Sequence, residues 1–286
     1  MSERPAAVVT GSSRGLGRSF AMALARDGFA VVVNGTDAEA AAETVRLIQD
    51  AGGTAVCRVG SLVDPDFCGR LVDACVDTFG RVDLLVNNAG LTRDRSVMKM
   101  TAPEWDEVLA VHLRGAWACS AAAARAMRGG GGHILSVTSG AGLFGMFGQA
   151  NYAAAKAGIV GLNRVLEMEL GKFGIRCNVL YPVARTRMTA VFADAAAAVG
   201  HESTFPPPES VAPVVSYLAS PAAAHLHGQV ISFDGRRLSV WSHPAPTATW
   251  TRELGAWRPE DFAAALTAEV MQPPHPDSWG RGVIAG

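Results

Sequence analysis

The sequence predicts a doubly wound α/β fold, a seven-stranded parallel sheet with helices on both faces, followed by a C-terminal aromatic extension. Short apolar runs alternate with longer segments of helical period up to about residue 235. Those runs are apolar on successive residues, the pattern of strands covered on both faces. A glycine-rich turn joins the first run to the first helical segment, where such folds place their ligand.

The chain opens on a strand at Ala6 to Thr10, with a helix at Gly15 to Asp27. The run Ala30 to Asn34 gives a second strand and Ala38 to Ala51 its helix, and Ala55 to Val59 a third strand with a helix at Pro65 to Phe79. A fourth strand at Leu84 to Asn87 precedes one long helix, Ala102 to Met127. The fifth, His133 to Val137, leads to a helix at Gln149 to Lys172. The sixth, Arg176 to Tyr181, precedes a stretch from Thr189 to Pro208 read as a crevice loop or short helix pair. A helix at Pro208 to Ser220 and a seventh strand at Val230 to Phe233 close a domain of residues 1–235.

Residues 236–286 form an extension carrying Trp241, Trp250, Trp257 and Trp279, too much apolar surface to leave in water. It is expected to pack on the core or a neighbouring subunit. Ser239 to Ser242 reads as a short extended segment, and Thr267 to Met271 as the end of a helix begun near Pro259.

Composition excludes several functions. A hydrophobic share of 49% against 18% charged suits a large buried core, and a formal charge of −1 without a basic run argues against nucleic acid. Without an apolar leader or a stretch of spanning length, no membrane partner is expected, and the location is read as cytoplasmic. Five scattered cysteines, an odd number without a CxxC pair, fit reduced thiols. His225 and His227 lack nearby carboxylate or cysteine partners, and no metal is expected.

The chemistry follows the strand ends. Thr10-Gly-Ser-Ser-Arg-Gly-Leu-Gly17 places glycines at 11, 15 and 17, where backbone can turn tightly and meet a pyrophosphate at a helix N-terminus. The fourth strand runs into Asn87-Asn-Ala-Gly90, small enough for a cofactor to lie against it. Tyr152 and Lys156 share a helical face, where an ammonium beside a phenol favours phenolate and draws its pKa downward. Ser139, at the end of the fifth strand, can bind a carbonyl oxygen.

In this order the motifs TGxxxGxG, NNAG, Ser and YxxxK resemble the short-chain dehydrogenase/reductase family, with its Rossmann fold, over roughly residues 6 to 235. Gly148-Gln-Ala-Asn-Tyr-Ala-Ala-Ala-Lys156 and Leu91-Thr-Arg-Asp94 are similar to 3-ketoacyl thioester reductases. Val111-His-Leu-Arg-Gly115 and the Trp-rich tail are similar to the hydroxyacyl-CoA dehydrogenase unit of multifunctional β-oxidation enzymes.

The resemblance implies hydride transfer between a nicotinamide and a carbonyl carbon. Tyr152 passes the proton, Lys156 also holds the nicotinamide ribose and Ser139 steadies the oxygen. The implied cofactor site takes Gly11, Ser13, Arg14, Gly15, Leu16 and Gly17 from the glycine loop. Asn34, Thr36, Ser61 and Leu62 come from the next two strand ends. Asn88, Ala89 and Gly90 lie on the adenosine side, and Pro182 and Thr186 near the carboxamide.

Three positions depart from the family. His112 stands where it has a catalytic Asn, Pro182-Val183 where it has Pro-Gly, and Ser61 where an acidic residue often touches adenine. His112 is expected to hold a water in a relay from Lys156 and, as an imidazole, to titrate near neutrality.

The second strand ends Asn34-Gly35-Thr36 without an acidic residue and Arg14 sits in the glycine loop, so NADP(H) is the expected cofactor and NAD(H) the alternative, with Asp37 the complication. Leu143, Phe144, Met146, Phe147, Met188, Val191, Phe192 and Phe205 are candidate pocket walls for an apolar chain. Arg93, Arg95, Arg185 and Arg187 are candidates for a CoA phosphate, whereas the glycines of Arg128-Gly-Gly-Gly-Gly132 weaken docking of an acidic carrier protein.

The expected function is NAD(P)H-dependent reduction of a ketone to a secondary alcohol, the ketone a 3-ketoacyl thioester, an acyl-CoA substrate, or a polyketide-like ketone. The alternatives are oxidation of a steroid or polyketide alcohol, or a non-catalytic dinucleotide sensor. Family resemblance implies a homodimer or homotetramer packed through the Ala102 to Met127 and Gln149 to Lys172 helices.

Overall fold

A computed structural model describes residues 4–186, 188–189, 205–254 and 256–267; the chain divides into two compact units, one through Trp241 and one from Ser242. In the first unit seven parallel strands form the expected sheet: β1 (Ala6–Val9), β2 (Ala30–Gly35), β3 (Thr54–Val59), β4 (Leu84–Asn87), β5 (Gly132–Val137), β6 (Ile175–Pro182) and β7 (Val230–Phe233). They lie in the order β3-β2-β1-β4-β5-β6-β7. Because β1 pairs with β2 on one side and β4 on the other, the order reverses at β1, and the crevice opens above the carboxyl ends of β1 and β4.

The sheet has an eighth strand that the expected seven did not include. β8 (Leu238–Trp241) runs antiparallel to β7, with Phe233 opposite Leu238 and Val230 opposite Trp241. A tight hairpin causes the reversal: Asp234 Oδ1 accepts from the amides of Arg236 at 2.9 Å and Arg237 at 2.6 Å, and Gly235 takes φ +82°. The compact unit therefore continues to Trp241, past the break expected after Gly235.

Helices α1 (Gly15–Arg26) and α2 (Ala38–Asp50) cover one face of the sheet together with short helices at Pro208–Val211 and Pro213–Ala219, burying Phe20, Leu24 and Ile48. The other face packs on α3 (Pro65–Phe79), α5 (Gly115–Met127) and α7 (Ala150–Leu170), around Leu71, Met127 and Ile134. Each fully buried side chain of this size contributes about 1.5–3 kcal/mol.

The helix expected over Ala102 to Met127 is interrupted. It begins at α4 (Ala102–Leu109), fixed by a capping box between Thr101 and Glu104, and passes through a π-helical turn at Ala110–Arg114 before α5. A further short helix, α6 (Gly140–Phe144), follows β5; five residues carry no readable period.

In the second unit the helix Pro259–Ala265 anchors a small cluster: Trp257 stacks on Phe262 at 4.9 Å, and Arg252 lies over Trp257 and pairs with Asp261 at 2.6 Å. Met271 and Trp279 lie outside the described residues. His227 pairs with Glu167 at 2.8 Å, and no cluster able to hold a metal occurs among the described residues. All five cysteines are free, and no described helix is long and apolar enough to cross a membrane.

Candidate active site

The glycine loop is built to leave space at the entry of α1. Gly11 and Gly15 have φ of +63° and +54°, and nothing lies within 4 Å of a Cβ built on Gly15. At Gly17 a Cβ would strike the Gly11 carbonyl oxygen and lie 2.5 Å from Asn88 Nδ2. Arg14, the residue before α1, gives no side-chain cap, and the first turn holds no acidic residue, so its amides remain available to an anion. This cradle fits a dinucleotide pyrophosphate.

Several residues expected to touch the cofactor also hold the loop in place. Asn34, 2% exposed, accepts from the Gly11 amide and donates to the carbonyls of Arg58 and Gly60. Asn88 donates to the carbonyls of Thr10 and Gly11, and Thr10 Oγ1 accepts from the amides of Asn88 and Ala89. Gly90 makes room for the ring of His112, which any Cβ there would strike. Ser61 caps the Val63 amide, and Leu62 is buried in the core. Ser13, Leu16, Pro182 and Thr186 are partly accessible and Thr36 is exposed, while Thr186 also closes a turn with Thr189.

Ser139, Tyr152 and Lys156 converge above β5. Ser139 precedes α6, its Oγ accepting from the Ala141 amide at 3.0 Å. Lys156 Nζ donates to the Val137 carbonyl at 2.7 Å and lies 5.6 Å from the centre of the Tyr152 ring. Thr138 Oγ1 donates to the Lys156 carbonyl at 2.8 Å, tying α7 to the strand end. Gly142 allows α6 to lie on α7, since a Cβ there would sit 2.5 Å from the Lys156 carbonyl carbon.

The electrostatics differ from the expected lowering of the Tyr152 pKa. Burial pushes the Tyr152 phenol up to about 12, opposed by the Ser139 hydroxyl beside it, and burial pushes Lys156 down to about 7. For both groups burial is the leading cause, and it acts against the ionised form. It favours the neutral, proton-donating form of the Tyr152 phenol.

His112 lies in the π-helical turn, 2% exposed, with its ring edge-on to Tyr152 at 5.1 Å. Its Nε2 lies 2.7 Å from the Leu91 carbonyl oxygen and 3.0 Å from the Leu91 amide, and Nδ1 has no partner. Burial, followed by the charge of Lys156, pushes the imidazole down to about 3. The expected titration near neutrality is thereby corrected: His112 stays neutral and fixes the Leu91 turn.

Sequence reasoning missed two positioning residues. Asn151 Nδ2 donates to the carbonyls of Arg93 and Glu104, and its Oδ1 accepts from the Tyr152 amide at 2.7 Å; Gln149 donates to Asp94 at 3.0 Å. Both lie in the quoted Gly148 to Lys156 stretch, but their partners lie about fifty residues upstream and leave no local signal.

On the substrate side, Phe144 stacks on Trp241 at 6.1 Å, Leu143 is half-buried, and Met146 and Phe147 are exposed. Met188 and Phe205 are partly buried, whereas Val191, Phe192 and Arg187 lie outside the described residues. Of the candidate arginines, Arg93 pairs with Glu107 and Arg95 with Glu104, so a CoA phosphate would have to displace a carboxylate; Arg185 is exposed.

Comparison with known proteins agrees with this geometry. The family model of the short chain dehydrogenases matches residues 5–197. A hydroxyacyl-CoA dehydrogenase of Mycobacterium tuberculosis is 40% identical over 91% of this chain and 86% of its own. A 3-oxoacyl-[acyl-carrier-protein] reductase of Synechocystis is 37% identical over 80% and 95%. The crystal structure of a short chain dehydrogenase from Mycobacterium avium superposes with a TM-score of 0.83 at 35% identity, covering 95% of this chain and 97% of that one. With a glycine cradle for a dinucleotide and Ser139, Tyr152 and Lys156 gathered beside it, the chain belongs to the short-chain dehydrogenase/reductase family of oxidoreductases.

Proposed function

We propose that the protein reduces the 3-keto group of an acyl thioester, or of a related 3-oxo compound, to a secondary alcohol with NADPH. The observation that carries this reading is the neutral Tyr152 phenol beside Ser139 and the buried Lys156 at the carboxyl end of β5. The names of the two relatives support the 3-oxo class. A bound nicotinamide supplies the hydride. Ser139 binds the ketone oxygen, Tyr152 donates its proton to that oxygen as charge develops, and Lys156 holds the ribose and restores the proton.

The test is nucleotide consumption against acetoacetyl-CoA, longer ketoacyl-CoAs, steroid ketones and aromatic polyketides. Acetoacetyl-CoA or a longer homologue is expected to give the highest kcat/KM, and Tyr152→Phe to lower kcat at least a thousandfold with nucleotide affinity retained. Substantial activity in that variant overturns the mechanism; preference for a steroid overturns the substrate.

Preference for NADPH rests on β2, which ends without an acidic side chain, and on Arg14, which pairs with Asp37 at the entry of α2. The Ala40 amide, together with Arg14, holds the Asp37 carboxyl below its usual range. Asp37→Asn frees Arg14 for a 2′-phosphate and is expected to raise the NADPH/NADH ratio of kcat/KM, whereas Arg14→Ala lowers it. A wild type that favours NADH refutes the assignment.

Assembly as a homodimer or homotetramer is supported by Trp117 on α5 and by Val165 and Met168 on α7, exposed by 52%, 49% and 83%. A cleft of about 720 Å³ beside Trp117, lined also by Leu113 and Leu162, lies on this outer surface and carries none of the catalytic residues. Free thiols throughout suit a cytoplasmic location.

A further inference from the structure

Tyr181 has no place in the mechanism above, yet it lies against it. It is the penultimate residue of β6; Leu180 belongs to the core under α1, so the alternation turns Tyr181 with Val179 to the α7 face. The ring is 9% exposed and is packed by Trp241, whose centre lies 6.3 Å away and whose Nε1 donates to Ser232 at 3.0 Å.

The hydroxyl at the end of this ring reaches Gly140, the residue that follows Ser139. A Cβ on Gly140 would lie 2.8 Å from Tyr181 Oη. Among the described residues that oxygen has no hydrogen-bond partner, and it is not one of the atoms sealed from solvent. A phenol set in an aromatic nest ordinarily finds a partner for its hydroxyl. Phenylalanine would fill the same nest without the unpaired donor.

We propose that Tyr181 is a specificity-determining residue that donates a hydrogen bond to the second carbonyl oxygen of a 1,3-dicarbonyl substrate, whose keto oxygen is held by Ser139 and Tyr152. The inference rests on the proposed function and sharpens it: a 3-oxo ester or thioester carries two carbonyls one carbon apart, one for Ser139 and Tyr152 and the other for the Tyr181 hydroxyl, which reaches the residue next to Ser139. Tyr181 lies close enough for its charge to act on Tyr152. Burial, followed by the charge of Asp234, pushes the Tyr181 phenol up to about 12, so it remains a donor through the working range.

The test compares ethyl acetoacetate with 2-hexanone, a ketone without the second carbonyl, in the full-length wild type and Tyr181→Phe. The variant keeps the ring against Trp241. The expected result is a loss of about tenfold in kcat/KM for ethyl acetoacetate, mostly in KM, with 2-hexanone and NADPH affinity unchanged. An equal loss on both ketones assigns Tyr181 a structural role through Gly140 and overturns the proposal; so does no loss on either. If wild type reduces ethyl acetoacetate but not acetoacetyl-CoA, the thioester reading fails while a selective loss in Tyr181→Phe still upholds the role of Tyr181. If acetoacetyl-CoA is reduced and Tyr181→Phe is not selective, the role of Tyr181 alone fails.

Discussion

Replacing Lys156 by methionine should stabilise the nucleotide-free protein at low pH and destabilise it at high pH. Lys156 is 3% exposed, and burial moves its pKa from 10.5 to about 7. That interval corresponds to about 5 kcal/mol at roughly 1.4 kcal/mol per pH unit. Below about pH 7 the lysine is charged in both states, and the native state carries the whole desolvation penalty. Between about 7 and 10.5 only the unfolded chain keeps the proton, so wild-type stability rises with pH through that window. Methionine has no charge to bury but loses the 2.7 Å bond to the Val137 carbonyl, which costs about 1 kcal/mol at every pH. The variant should therefore be more stable by about 3–4 kcal/mol near pH 6, with the sign reversing near pH 10. Urea unfolding of both proteins across this range, at equal m-values, measures the difference directly. A difference independent of pH, or a variant less stable near pH 6, refutes the desolvation argument.

The remaining predictions concern the neighbours of Tyr152. His112→Asn should leave the shape of the kcat–pH profile unchanged from about pH 5 to 9, because an imidazole pushed down to about 3 is neutral throughout; a shifted limb would show that it titrates. Gly142→Ala would place a methyl 2.5 Å from the Lys156 carbonyl carbon and 2.7 Å from the Ala157 amide nitrogen, both backbone atoms that cannot yield. It should lower kcat at least tenfold and destabilise by about 1–3 kcal/mol in thermal unfolding; an unchanged kcat would mean that α6 is free to lift from α7 without moving the site.

Much of this architecture could be read from residue pattern. The buried runs Ala30–Gly35 and Leu84–Asn87 are apolar on both faces, and the glycine loop joins β1 to α1 as its spacing requires. What escaped reading depends on tertiary contact. Ser239 to Ser242 was legible as an extended segment, but its return onto β7 was not, because it is set by the side chain of Asp234 capping two amides while Leu238 and Val240 remain 63% and 65% exposed. The grouping of Ser139, Tyr152 and Lys156 was visible in the motif order, but the direction of the Tyr152 pKa shift was not. A helical-wheel argument brings ammonium and phenol together without knowing that both would be stripped of water. Asn34 and Asn88 show what a motif leaves unsaid: beside a cofactor cradle, their side chains also brace the loop by engaging Arg58, Gly60, Thr10 and Gly11.

The π-helical turn at Ala110–Arg114 makes this rod a counter with one surplus residue. Its wide hydrogen bond, from the Gly115 amide to the Ala110 carbonyl, absorbs a residue that a regular helix would have to express as a rotation of about 100°. Upstream of it the rod buries Val108, and downstream it buries Ala118, Cys119 and Ala122. Deleting one of these five positions would regularise the hydrogen bonds and keep both halves of the rod in phase with their partners. The cost would fall on the turn itself, where His112 is seated against Tyr152. A frame-preserving loss of one codon here should therefore be tolerated by the fold better than the same loss within α5, where it would rotate the buried Ala118, Cys119 and Ala122 by about 100°.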